Sequence, residues 1–430
     1  MKQLFLDRKV LSWALYDWAN SAFATTVMAG FFPIFYSAIS RDISLADSQF
    51  WFNVTLAVSG LAVAIAAPVL GAVADAGGGR RKFLATFAFL GVAMSAGLAW
   101  VQSGMWWMGL LLYGLGKVGF SGANVFYDAM LVDVAPEDDV DLVSGFGYSM
   151  GYIGGGLLFL LNVLMVQYPE TFGLPDAATA VSVSFLSVAV WWAVFTVPLL
   201  LQDHNNADST QRPVRNLSES IRHGLTELKG TITRLRHYRV LVLFLVGYWL
   251  YIDGVGTIIK SAVFFGSRVL ELPQSSLITA LLLTQFVAFP SALAFGWLGK
   301  KIGARPGILI GLGVYVMAIV YAWGWLTTAG DFFVLAVAIG LVQGGVQSLS
   351  RSLYARLIPT EHAAEFFGFY NMVGKFASIL GPTLMSGSVL LFAAVDERDS
   401  ILALLVLFIS GGLLLASLDL DQTRTRSGTR

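Results

Sequence analysis

Twelve apolar runs, each close to the roughly 20 residues that cross a bilayer as a helix, constrain this chain more than any other feature. They fall near residues 12–38, 50–74, 83–101, 106–132, 143–167, 178–201, 239–266, 274–298, 306–326, 332–357, 367–393 and 400–418. In lipid every backbone N–H and C=O must be satisfied without water, and the runs do not alternate polar with apolar, so they predict helices and not a barrel. Composition agrees, at 56% hydrophobic and 13% charged, against about 25% charged in soluble domains. The expectation is an all-α polytopic membrane protein with twelve transmembrane helices. The absence of cysteine excludes disulfides, thiolate metal sites and cysteine nucleophiles. His204, His223 and His237 share one polar linker and His362 a short loop, none at ligand spacing, so neither metal nor cofactor is expected. The opening MKQLFLDRKV is too polar for a secretory signal.

Lys and Arg set the expected orientation. Lys2, Arg8 and Lys9, Arg80, Arg81 and Lys82, Lys300, Lys301 and Arg305, and Arg424, Arg426 and Arg430 all lie on the side of the N-terminus. The opposite loops hold only Arg41, Arg268 and Arg398. The positive-inside rule puts both termini in the cytoplasm, as an even number of spans requires. An acidic loop from Asp133 to Asp141 on the same side is a mild exception. Trp51, Trp106, Trp107, Trp323 and Trp325 stand at outer span ends, as interface anchors should.

One long polar interruption divides the chain into residues 1–201, a cytoplasmic linker at 202–238, and residues 239–430. In the linker Leu217, Ile221, Leu225, Leu228, Ile232 and Leu235 recur every three or four positions among arginines, which predicts a basic amphipathic helix on the headgroups. The flanking halves, six spans each, repeat one another. GAVADAGGGRRK from Gly71 parallels GWLGKKIGARPG from Gly296, with Lys300 in place of Asp75. Pro136, Gly145, Phe146 and Gly151 match Pro359, Gly368, Phe369 and Gly374 at one constant offset. Two six-helix bundles with internal similarity predict a transporter whose site lies between the repeats.

Gly71-x-x-x-Asp75-x-x-Gly78, followed by Arg80, Arg81 and Lys82, resembles the second-loop signature of the major facilitator superfamily. Ala76 and Gly79 stand where that pattern usually has basic residues, so the arginines are displaced by one. Three further stretches are similar to a narrower branch, the vacuolar amino-acid effluxer-like transporters first known from fungal autophagy. They are ALYDWANSAFATTVMAGFFP from Ala14, YIDGVGTIIK from Tyr251, and GGVQSLSRSLYARLIPTEHAAEFFGFYNMVGK from Gly344; SGFGYSMGYIGGG from Ser144 fits as well. The resemblance touches both halves. It implies the major facilitator fold, alternating access, a cavity lined by spans one, four, seven and ten, and amino acids such as leucine as substrates.

The residues support that cavity independently. Span one has Asp17, Asn20 and Ser21 on one face, and span four has Lys117, Ser121, Asn124 and Asp128. Asp253, Gly256, Thr257 and Lys260 share a face of span seven; Gln343, Gln347 and Arg351 share a face of span ten. With Lys375 of span eleven these helices hold seven intramembrane charges, three negative and four positive. Turned to lipid at about 3 kcal/mol each they would cost on the order of 20 kcal/mol, more than the stability of most folds. They must face a wet cavity or one another. Interhelical ion pairing is one reading; a binding and coupling site is the other, favoured because intramembrane charge is functional by default. On the second reading Asp17, Asp128 and Arg351 form a cytoplasmic gate or proton-coupling pairs, with Lys375 also in the coupling group. Lys117 or Lys260 meets a solute carboxylate and Asp253 an ammonium, while Asn20, Asn124, Gln343 and Gln347 donate hydrogen bonds. At the loops Asp75, Arg80, Arg81, Lys300 and Arg305 act as a mechanical lock.

GLGKVG at Gly114 satisfies a dinucleotide-binding pattern but lies inside a span without a preceding strand, and no ATP-binding glycine-lysine loop occurs. No enzymatic activity and no nucleic-acid partner are expected. The chain reads as a monomeric secondary transporter of a small, zwitterionic solute, with protons as candidate coupling ions, in a bacterial cell membrane. A drug or sugar carrier of the same fold, or a receptor or lipid-moving protein on this scaffold, are the competing readings.

Overall fold

A computed structural model describes residues 2–77, 79–202, 226, 230, 238–377, 379–391 and 398–419. The chain is an all-α multi-pass membrane protein whose twelve spans form two six-helix halves. The first half comprises Arg8–Ile39, Leu45–Gly77, Arg80–Leu98, Trp106–Ala129, Val140–Gln167 and Ala177–Leu201. The second comprises Arg239–Arg268, Gln274–Ile302, Ala304–Trp325, Ala329–Leu357, a broken span of Ala363–Phe376 plus Leu380–Leu391, and Leu404–Ala416. Among the described residues ten stretches are long and apolar enough to cross a membrane on those grounds alone. The other two are span four, which carries Lys117, Asn124 and Asp128, and span eleven, whose halves are each too short. The amphipathic linker helix falls outside the described residues except at Gln202, Thr226, Gly230 and Tyr238.

Polar side chains start the helices where the sequence leads one to look. Asp7 caps span one through Lys9 N at 2.8 Å, and Thr328 with Asp331 forms a reciprocal capping box at span ten. At span six the backbone N–H of Thr179 bonds Asp176 at 2.7 Å, holding that carboxyl below the usual carboxylate range.

Two departures from the expected regular helices matter for the site. Span one is π-helical over Phe23–Phe31, a form that is rare outside functional regions. Span eleven, expected as a single run over 367–393, breaks at Ala377 and resumes at Leu380. Pro382 stands in the first turn of the second piece, the one helical region where its missing N–H costs nothing.

The halves meet through two crossings that repeat one another. Span five crosses span eight where Gly145 faces Ala292; span eleven crosses span two where Gly368 faces Ala67. A Cβ on Gly145 would come 2.7 Å from the Ala292 carbonyl oxygen, and one on Gly368 would come 2.6 Å from that of Ala67. Only glycine allows backbones this close. Both crossings lie toward the face where span one begins, called the terminal face below. Ion pairs reinforce them there. Arg80 reaches Asp75 at 2.7 Å, Asp133 at 2.8 Å and the Thr360 carbonyl at 3.1 Å, and Asp75 also accepts from Glu365 N at 2.9 Å. Lys300 meets Asp139 at 2.5 Å and Arg356 meets the fully buried Asp141 at 2.9 Å. The acidic loop that departs from the positive-inside pattern thus supplies three carboxylates to arginines and lysines closing this face. At mid-depth the halves touch through a long bond, Gln285 Nε2 to Thr25 Oγ1 at 3.5 Å.

Candidate functional site

Between the halves lies a cavity of 440 Å³, within the range of small-molecule sites. Its floor, toward the terminal face, holds Asp17, Asp128 and Arg351; its mouth reaches Leu277 and Phe332, each the fourth residue of its span at the opposite face. The floor is built around Arg351, only 1% exposed. The guanidinium donates to Asp128 Oδ1 at 3.0 Å, and to Ser144 Oγ and the Ser144 carbonyl at 3.0 Å each. Tyr148 covers it at 4.3 Å and Trp13 at 4.9 Å, as aromatic faces attract a cation. Asn371 Nδ2 donates to the other oxygen of Asp128 at 3.1 Å. The pair is therefore buried, joined by one contact, and its remaining donors and acceptor are satisfied by Ser144 of one half and Asn371 of the other. Asp128 and Arg351 are 223 positions apart, the offset that superposes Pro136 on Pro359 and Gly145 on Gly368. They are the same position in the two repeats, given opposite charge.

Asp17 is placed differently. It is half-buried in the cavity wall, and accepts hydrogen bonds from Ser21 Oγ and Tyr127 Oη, each at 3.2 Å. No ion pair to it is formed among the described residues. Trp13 fixes Tyr127 by stacking at 4.5 Å and donating to its carbonyl at 3.0 Å. Asn20 Nδ2 donates to Asn124 Oδ1 at 2.5 Å across spans one and four, and Gln343 and Gln347 face them from span ten. Asp17, Asp128 and Arg351 are the charged residues of the lining, set among amides and Tyr148, Tyr152, Tyr248 and Tyr370.

The profile described as vacuole effluxer Atg22 like matches residues 51–140 and 137–428. This chain belongs to that family. Among its relatives, the uncharacterized MFS-type transporter YxiO of Bacillus subtilis is 40% identical over 94% of this chain and 93% of its own. Autophagy-related protein 22 of Vanderwaltozyma polyspora is 25% identical over 71% of this chain and 65% of its own length. The proton:xylose symporter XylE superposes with a TM-score of 0.68 at 13% identity, covering 95% of this chain and 94% of XylE. The fold is that of the major facilitator superfamily.

Within this Atg22-like chain the structure brings together seven of the sequence-selected residues, Asp17, Asn20, Asn124, Asp128, Gln343, Gln347 and Arg351. It sets four others apart from the cavity lining. Asp253 is fully buried and accepts the N–H groups of Ile379, Leu380 and Gly381 at 3.2, 2.9 and 2.8 Å, so it caps the second piece of span eleven. This is a correction of the expected ammonium role, and its reason is the unforeseen helix break. Lys117 donates to the Leu56 carbonyl of span two at 3.3 Å and does not line the cavity. Lys260 lines a separate cavity, and Lys375 is not among the lining residues though it is near enough to Asp128 to feel its charge. At the terminal face Asp75, Arg80 and Lys300 bridge as described, while Arg81 donates to the Gln202 carbonyl and Arg305 to that of Leu418 at 2.6 Å. Sequence reasoning missed Tyr127, Ser144, Tyr148 and Asn371. Asn371 could have been found, since it lies one turn before Lys375; tyrosines in apolar spans carry no such signal.

Proposed function

We propose that this chain is a secondary transporter that moves a small amino acid across a bacterial cell membrane by alternating access of its two halves. The observation that carries this reading is Asp17, a carboxylate on the cavity wall that forms no ion pair among the described residues. An intramembrane carboxylate without a partner calls for a cationic group from outside, an ammonium or a proton. Asn20, Asn124, Gln343 and Gln347 supply donors and acceptors for the remainder of a zwitterion, and the tyrosine wall accepts an apolar side chain. Family membership supports amino acids as the class, and the Bacillus subtilis relative supports a bacterial membrane. With the terminal face cytoplasmic by its excess of Lys and Arg, the cavity opens outward and the Asp128–Arg351 pair is the closed inner gate. Proton coupling follows if Asp17 exchanges its proton for the solute ammonium as the halves rock.

Counterflow of labelled leucine and other amino acids in proteoliposomes tests this. Asp17→Asn is expected to weaken apparent affinity about tenfold or more, the cost of one charge-assisted hydrogen bond. Wild-type affinity in Asp17→Asn, with transport indifferent to an imposed pH gradient, would exclude both roles for this carboxylate.

A further inference from the structure

A second cavity, of 640 Å³, lies wholly within the C-terminal half. Its body is apolar, walled by Phe264, Phe265, Ala322, Leu326, Met385 and Ile401. The charged residues lining it are Lys260 and Arg398, with no carboxylate among the described lining residues. Arg398 Nη2 donates to the Leu326 carbonyl at 3.1 Å, whereas its Nε is buried without an acceptor among the described residues. Leu326 follows span nine and Arg398 precedes span twelve, so this end lies at headgroup level on the face opposite the termini. Lys260 is exposed and lies eight residues before Arg268, about 12 Å below the end of span seven by helical rise. Both cations line this one cavity, Arg398 at its headgroup end and Lys260 deeper. Thr257 and Pro382 mark the inner end.

Greasy walls with one cation at the rim, a second deeper in and an unused guanidinium donor describe the complement of one ligand class. We infer that this cavity holds an anionic membrane lipid, its phosphate on Arg398 and Lys260 and an acyl chain between spans seven, nine and eleven. A free anion would leave the apolar walls unfilled, and a zwitterionic lipid would bring a further cation beside Lys260 and Arg398. Ala262 and Leu335 line this cavity and the central one alike. Lipid on one side of these residues therefore bears on the solute site on the other, which makes turnover depend on the lipid.

Native mass spectrometry of the full chain, delipidated in detergent and titrated with phosphatidylglycerol or phosphatidylcholine, tests the assignment. One phosphatidylglycerol is expected to bind at least about tenfold more tightly than phosphatidylcholine, and Lys260→Gln with Arg398→Gln should abolish that preference. Counterflow in vesicles of phosphatidylcholine alone should fall below that in vesicles containing phosphatidylglycerol. Equal binding of the two lipids to the wild type would overturn the inference, a result that stands even if the double variant fails to fold. So would displacement of the bound lipid by millimolar inorganic phosphate, or an unchanged preference in a folded double variant.

Discussion

Asp128 and Arg351 contribute one ion pair from a single position used twice. A buried pair is costly to half-remove, about 3–5 kcal/mol, because the surviving charge is left in a low-dielectric site. Asp128→Asn or Arg351→Gln alone should therefore lower the melting temperature in detergent by more than the double variant does. The pseudo-symmetry adds a sharper expectation: exchanging the two, Asp128→Arg with Arg351→Asp, should recover part of the loss. A swap no better than the worse single variant would mean that Ser144, Tyr148 and Asn371 specify which half carries the cation. At this scale the sequence was most informative where charge interrupts grease. Asp17, Asn20, Asn124, Asp128, Gln343, Gln347 and Arg351 were all legible from helical spacing. Asp253, Lys117 and Lys260 looked the same in sequence, because spacing reports a shared face without reporting which neighbour that face meets.

Individual helices obey local rules that tertiary context then modifies. Their spans could be read because each must bury its backbone and its apolar surface over a fixed membrane thickness. The break in span eleven could not, since an apolar run on both sides of Ala377 hides it. Asp253 answers that break by accepting three amide N–H groups. Capping losses run to about 2 kcal/mol, so Asp253→Ala should lower the melting temperature while leaving apparent solute affinity in the folded fraction near wild type. A selective loss of affinity with unchanged melting would return Asp253 to the solute. The glycine pairs at the two crossings set a second expectation. Gly145→Val or Gly368→Val puts a side chain where a carbonyl already stands, so either should hinder closure of the terminal face and favour the opposite state.

For the molecule as a whole, two repeats, two equivalent crossings and a row of ion pairs produce a body sealed at one end and hollow toward the other. The absence of cysteine makes this measurable without first removing native thiols. In whole cells Gln102→Cys, in the loop after span three, should react with an impermeant maleimide, and Thr360→Cys, in the loop before span eleven, only after permeabilisation. Gln347→Cys in the cavity should react from the same side as Gln102→Cys, and less readily in the Gly145→Val background. The reverse pattern would invert the orientation. Two bundles and a shared pocket between them were foreseeable from the repeat and the polar linker, because six spans cannot shield seven charges alone. Which end was closed was not, as both states bury similar faces.

The π-helical stretch of span one runs along the hollow side of the molecule, from Phe23 past Thr25 to Phe31. Such a coil holds more residues per turn than the ordinary helix on either side of it. Deleting a single amino acid there would let the backbone tighten to the regular winding while leaving the residues beyond it facing nearly as before. Phe32, just past the stretch, would keep its ring-on-ring seat against Tyr113. The segment stores one residue of slack in a wall that runs from the floor of the pocket toward its rim, and slack is what a wall needs if its two ends are to move at different times.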